Sequence, residues 1–140
     1  MDLKKYINSI KDWPKEGINF KDISPILANP KVFRESIKKI CNLINERPQM
    51  IAGVDARGFI FASAMAESLN TGMLMLRKKG KLPPPKIDIK YELEYGSDIL
   101  EIKEAQTKGT EIILVDDILA TGGTISSACN LCIKAGYKVK

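Results

Sequence analysis

Residues 112–124 read IILVDDILATGGT, and no other stretch narrows the possible folds of this chain so far. Ile112, Ile113, Leu114 and Val115 form a short β-rich apolar run after a Lys-Gly break, as expected of a central parallel strand covered on both faces. Asp116 and Asp117 follow at once and therefore fall at the strand's C-terminal end, the edge where open α/β sheets bind ligands. Ala120, Thr121, Gly122, Gly123 and Thr124 then give a small-residue loop. The loop opens into a helical pattern of Ile125, Ala128, Cys129, Leu131 and Cys132, with Gly136 as its stop. Backbone N–H groups in such a loop can converge on one anion, and the helix N-terminus adds a partial charge of about +0.5.

The two halves of this stretch make opposite demands. A phosphate suits the amides of residues 120–124 but not two adjacent carboxylates. The ligand should carry phosphate at one end and hydroxyls at the other, with the Asp pair accepting hydrogen bonds from a sugar or holding a hydrated Mg²⁺. A ribose 5-phosphate meets both demands. Taken alone, the turn could equally be structural, with two solvated aspartates beside it.

The same strand, polar loop, helix order occurs earlier. Residues 50–54 form a buried strand that ends in Asp55-Ala56-Arg57-Gly58, before a helix carrying Phe59, Ala62, Met65, Ala66 and Leu69. Arg57 then faces the ligand edge, where a guanidinium can clamp phosphate oxygens bidentately; a surface ion pair is the plainer alternative. Residues 73–76 make a third strand delivering Arg77 and Lys78, followed by the basic, proline-stiffened loop 79–85, KGKLPPP. Ile87, Ile89, Tyr91 and Leu93 alternate, as do Leu100 and Ile102 beyond a turn at Tyr95-Gly96-Ser97, so a two-stranded hairpin is expected. A ribbon standing apart is marginally stable, and mobility would suit a flap.

Toward the N-terminus, Leu3, Ile7 and Ile10 suggest a short amphipathic helix closed by Trp13-Pro14. Residues 17–23 read as loop or short strand around Phe20. Asn29-Pro30 supplies an N-cap and first-turn proline for a helix through Phe33, Ile37, Ile40, Cys41 and Ile44, to about Glu46. Residues 137–140 look like the start of another strand.

Composition removes several function classes. The chain has 140 residues, 44% of them hydrophobic, with no repeat, linker or low-complexity tract, so one globular domain over 1–140 is expected. There is no histidine, which excludes a His base, a Ser-His-Asp triad and a His-liganded metal. Cys41, Cys129 and Cys132 are odd in number, and the C-x-x-C spacing falls on an apolar helical stripe, so reduced core thiols are expected. The opening MDLKKYINSIKDW carries charges among its apolar residues; it fits neither a signal peptide nor a membrane span, and a cytoplasmic location is expected. The net charge of +5 gathers at Arg77, Lys78, Lys79 and Lys81, without aromatic interleaving, which favours a small polyphosphate over nucleic acid.

VDDILATGGT resembles the phosphoribosyl diphosphate (PRPP) motif of the type I phosphoribosyltransferases. GVDARGFIF, RKKGKLP and YELEYG resemble segments of adenine phosphoribosyltransferases, in the same order, from about Trp13 to the end of the chain. The resemblance implies an α/β fold: an open, mostly parallel twisted sheet with helices on both faces, plus a flap at about 78–104. It also implies that a C-terminal part of the family fold is missing, because family members continue further. The implied reaction is adenine + PRPP to AMP + diphosphate. Mg²⁺ would be held mainly by diphosphate, ribose and water, not directly by the protein.

By the same resemblance, Ala120 to Thr124 hold the 5-phosphate, while Asp116 and Asp117 face the ribose and the forming cation. Arg57, Arg77 and Lys81, with Lys78 next, take the diphosphate. Glu94 handles the purine proton, although a solvated hairpin acid would look the same. Asn19 and Lys21 contact the purine through the backbone, and Phe20 stacks on it unless it is simply core. Many members carry Arg where Lys21 stands, tolerable if the backbone recognises the base. A cis peptide is implied in the Asp55-Ala56-Arg57 loop, and a homodimer in which an arginine of the basic stretch reaches the neighbour. The PRPP motif does not choose the acceptor, so a transferase for another purine, or a non-catalytic PRPP-sensing regulator, stays open. Neither G-x-x-x-x-G-K-[ST] nor G-x-G-x-x-G occurs, which disfavours a P-loop or dinucleotide-binding module.

Overall fold

The computed structural model describes residues 1–93 and 96–140. They form two compact units, Met1–Asn45 and Glu46–Lys140.

In the first unit Asp2 accepts a hydrogen bond from the Lys4 amide and starts a single 3-10 turn, Leu3–Tyr6. The amphipathic helix expected through Ile10 does not form. Instead β1 (Asn8–Lys11) pairs antiparallel with β2 (Asn19–Asp22), matching Asn8 to Asp22 and Lys11 to Asn19. Asn8 and Ser9 favour backbone bonds outside a helix and Ile7 and Ile10 are β-branched, so an available ladder partner outweighs a weak apolar period. Trp13 packs edge-on against Phe20, with ring centroids 4.8 Å apart. After α1 (Ser24–Ala28), Asn29 caps α2 (Pro30–Cys41) by accepting from the amides of Lys31 and Val32 at 3.1 and 3.2 Å. This helix stops at Cys41, short of Glu46.

The second unit is built on a six-stranded sheet in the order β5-β6-β4-β3-β7-β8. Four neighbours are parallel: β4 (Gly72–Lys78), β3 (Met50–Val54), β7 (Thr110–Val115) and β8 (Tyr137–Val139). The hairpin of β5 (Ile87–Leu93) and β6 (Gly96–Ile102) adds two antiparallel strands. Helices cover both faces, and the β3 side chains show how. Ala52 and Val54 join a core with Ala128, Leu131 and Cys132 of α4 (Gly123–Lys134). Gly53 points the other way: a Cβ added there would lie 2.7 Å from Cβ of Ala62 in α3 (Gly58–Leu69), so that helix sits against bare backbone.

The hairpin is not a ribbon standing apart. β6 is hydrogen-bonded to the end of β4, with Arg77 opposite Glu101 and Lys78 opposite Leu100. Leu100 and Ile102 are fully buried and Tyr91 is 5% exposed. Burying such side chains is worth about 1.5–3 kcal/mol each, so the base of the hairpin is anchored in the core. The cysteines are all free, and burial pushes the Cys132 thiol up to about 12, as suits a core residue. Among the described residues no helix is long and apolar enough to cross a membrane.

Candidate active site

Parallel register decides which loops meet. Val54 lies opposite Leu76 and Gly53 opposite Val115, so the chain leaves β3, β4 and β7 at one edge of the sheet. Three polar segments therefore share a rim: Asp55 to Arg57, Arg77 with Lys78, and Asp116 with Asp117.

Two carboxyls and a guanidinium organise the start of the β7 loop. The Asp117 amide donates to Oδ1 of Asp116 at 2.8 Å, turning the chain as it leaves the strand. Oδ2 of Asp117, on a side chain only 7% exposed, lies 2.7 Å from Nε of Arg57, an ion pair without aligned hydrogen-bond geometry. Burial, reinforced by the neighbouring Asp117 carboxyl, pushes Asp116 up to about 6; the Asp117 amide and the Arg57 guanidinium oppose that rise. Gly58 permits the close approach of α3 to this acid, since an added Cβ would stand 3.0 Å from Oδ1 of Asp116.

Beyond the acid pair, Gly122 takes φ +88° as the N-cap of α4, a conformation that favours glycine. Thr121 Oγ1 accepts from the Gly123 amide at 3.3 Å. A small open cleft of about 90 Å³ lies over this turn, lined by Asp116 and residues 118–125. It has room for several waters at roughly 10–15 Å³ each. Backbone amides at a helix N-terminus on one side and a carboxyl on the other are a pairing suited to a phosphorylated polyol.

The basic residues divide. Arg77 donates from Nε to Oδ2 of Asp55 at 3.4 Å and lies over the Phe59 ring, 5.9 Å from its centre. The Lys78 amide donates to the same Asp55 oxygen at 3.3 Å, so one carboxylate fixes the end of β4. The Asp55-Ala56 peptide is cis. The Lys78 ammonium turns to the hairpin, donating to Asp98 at 2.7 Å and to the Tyr91 hydroxyl at 3.0 Å. Burial alone would depress that ammonium, but these two bonds outweigh it and hold its pKa above the usual lysine range. Lys81 is exposed in the loop after β4.

Glu94 lies outside the described residues. In the N-terminal unit, Asn19 is exposed on β2, Phe20 meets Trp13, and the Lys21 ammonium donates to Ser9 Oγ at 2.6 Å. Two acids with roles in this geometry were not singled out from sequence, Asp55 and Glu101. Asp55 had a signal, its place at the end of the β3 apolar run; Glu101 had none, since alternation puts it on the face opposite Leu100 and Ile102.

Residues 22–140 match the phosphoribosyl transferase domain family. An adenine phosphoribosyltransferase of Mycoplasmopsis pulmonis is 49% identical over 140 residues, covering 99% of this chain and 82% of that protein. The chain belongs to the adenine phosphoribosyltransferase branch of this family. The crystal structure of the adenine phosphoribosyltransferase from Thermoanaerobacter pseudethanolicus superposes with a TM-score of 0.92 at 42% identity, over 98% of this chain and 81% of that one. The Saccharomyces cerevisiae enzyme, complexed with an imino-altritol bisphosphate and adenine, gives 0.91 at 35% identity, over 98% and 81%. As in any adenine phosphoribosyltransferase, the fold is α/β, and the chain is a purine-salvage enzyme. Within it Asp116, Asp117, Arg57, Arg77 and the 120–124 turn gather on one rim, whereas the Lys78 side chain is committed to the hairpin.

Proposed function

We propose that this rim binds PRPP and that the chain joins its phosphoribosyl group to adenine, giving AMP and diphosphate. The observation that carries the reading is the cleft over the α4 N-terminus, with glycine-turn amides at one end and a raised-pKa carboxyl at the other. The amides of Ala120, Thr121, Gly122, Gly123 and Thr124 hold the 5-phosphate; Asp116 and Asp117 accept from the ribose hydroxyls. As the bond from the anomeric carbon to diphosphate breaks ahead of bond formation, the carboxylates stabilise the developing positive charge. Arg57, Arg77 and Lys81 receive the charge of the leaving group. The Nε of Arg57 already faces Asp117 at 2.7 Å, so the guanidinium and the acid pair stand side by side at the rim. Lys78 joins them only by giving up Asp98. Glu94 takes the proton that the purine imidazole loses, and Asn19, Phe20 and Lys21 are assigned to the base by family resemblance.

No group of three or more His, Cys, Asp or Glu side chains poised for a metal occurs among the described residues. Mg²⁺ commonly keeps several waters and is held by one or two carboxylates with substrate phosphates, a demand that the Asp116 and Asp117 carboxyls at the rim fit. When bound, it would neutralise the leaving diphosphate, with Asp116 as the available protein carboxylate. A homodimer and a cytoplasmic setting complete the reading.

The test is diphosphate release from PRPP with adenine, hypoxanthine, guanine or xanthine as acceptor. Release with adenine alone is expected. Preference for a 6-oxopurine would assign the site to another base, and PRPP binding without release would favour a regulator.

A further inference from the structure

Glu101 is a carboxylate only 2% exposed, on the strand next to β4. Burying such a charge is costly unless it is paired, and replacing a buried ion pair by apolar packing is often neutral or stabilising. Stability alone is therefore a poor reason for it. Its partners point elsewhere. Oε1 accepts from the Gly80 amide at 2.9 Å, and Oε2 lies 2.8 Å from the Lys86 ammonium. Both belong to the loop joining β4 to β5, one at each end. Just past the end of β6, the Lys103 ammonium donates to the carbonyls of Pro83 and Pro85. Leu82, 8% exposed, turns inward between these ties. The loop is thus fastened at four points, which leaves Lys81 on its outer side. The Lys86 ammonium and the Gly80 amide hold the Glu101 carboxyl below the usual range, so it is charged at neutral pH.

We infer that Glu101 is a positioning residue for PRPP: it fixes the basic loop through Gly80 and Lys86 so that Lys81 and the adjoining Arg77 meet the diphosphate preorganised. This inference rests on the reading above that the loop takes the diphosphate. Preorganisation matters because a displacement of about 1 Å can cost on the order of a hundredfold.

The sign of the effect separates this role from simple charge. Removing a carboxylate near a polyanion's site should tighten binding by Coulomb's law; loss of positioning should weaken it. We therefore compare Glu101→Gln, Glu101→Asp and Ile102→Val by calorimetric titration with PRPP and with adenine, by thermal melting, and by amide exchange of the Gly80 N–H without ligand. The Asp variant keeps the charge but shortens its reach. Ile102→Val is a core control on the same strand that loses stability while keeping the Glu101 carboxylate in place. Both Glu101 variants should raise the Kd for PRPP by roughly tenfold to a hundredfold, speed exchange at Gly80, and leave the adenine Kd unchanged. Ile102→Val should lower Tm and leave the PRPP Kd alone. The inference is overturned if the Gln variant binds PRPP as tightly as the parent, or if Ile102→Val weakens PRPP binding in the same proportion to its loss of Tm. Faster Gly80 exchange with unaltered PRPP affinity also overturns it, while showing the anchor to be real. A parent chain that binds no PRPP removes the underlying reading as well, and the exchange measurement then still reports the anchor independently.

Discussion

Asp116 and Asp117 are neighbours in sequence but opposites in circumstance, and each can be tested by itself. Asp117 faces Arg57 at 2.7 Å, whereas burial raises Asp116 to about 6 from an unfolded value of 3.8. A raised carboxyl binds its proton more tightly in the folded state, so its stabilising contribution is full below about 3.8 and is lost as pH rises through about 6. Asp116→Asn should abolish this dependence: its Tm should exceed the parent's at pH 7, and the gap should close by pH 4, as followed by melting across that range. PRPP affinity should run the other way in the parent, falling as pH drops through 6, because a protonated Asp116 gives up acceptor capacity for the ribose diol. Asp117→Asn should leave the fold standing but weaken PRPP binding tenfold to a hundredfold, the worth of a charge-assisted hydrogen bond of about 1.5–3 kcal/mol. Equal PRPP affinity in titration calorimetry would count against the sugar role.

Elements position these residues through close backbone approach. α3 rests on β3 only because Gly53 has no side chain, and it reaches Asp116 only because Gly58 has none. Gly53→Ala should cost about 1–3 kcal/mol by overpacking, visible in urea unfolding. At Gly122 there is space for a Cβ, but φ is +88°. Gly122→Ala should therefore lose about 1–2 kcal/mol of stability from backbone strain alone and also weaken PRPP binding, since the turn carries the amides. A variant as stable as the parent would show that the turn relaxes freely. The central strands, α2 with its Asn29 cap and the α4 turn were legible because apolar runs, caps and glycines state their geometry locally. The first helix was misjudged because the partners that capture Asn8 to Lys11, at Asp22 to Asn19, lie beyond an intervening loop in sequence. The hairpin's attachment to β4 and the commitment of Lys78 to Asp98 were hidden for the same reason: cross-strand partners are set by register, which one-strand alternation does not report.

At the scale of the molecule, one sheet edge does the assembling. Parallel neighbours β4, β3 and β7 release their chains on the same side, so acids from β7, a guanidinium from the β3 loop and bases from β4 converge although they are up to 60 residues apart. That convergence follows from strand order. It could be anticipated only by recognising the family, because no local pattern says that β3 lies between β4 and β7. The central claim is that this edge grips a sugar phosphate by its phosphate at the α4 turn and by its diol at Asp116 and Asp117. A crystal structure of the chain with AMP tests it most directly. The account predicts phosphate oxygens within hydrogen-bond distance of the amides of residues 120–124 and ribose hydroxyls on the Asp pair; AMP seated elsewhere, with that turn bare, would contradict it.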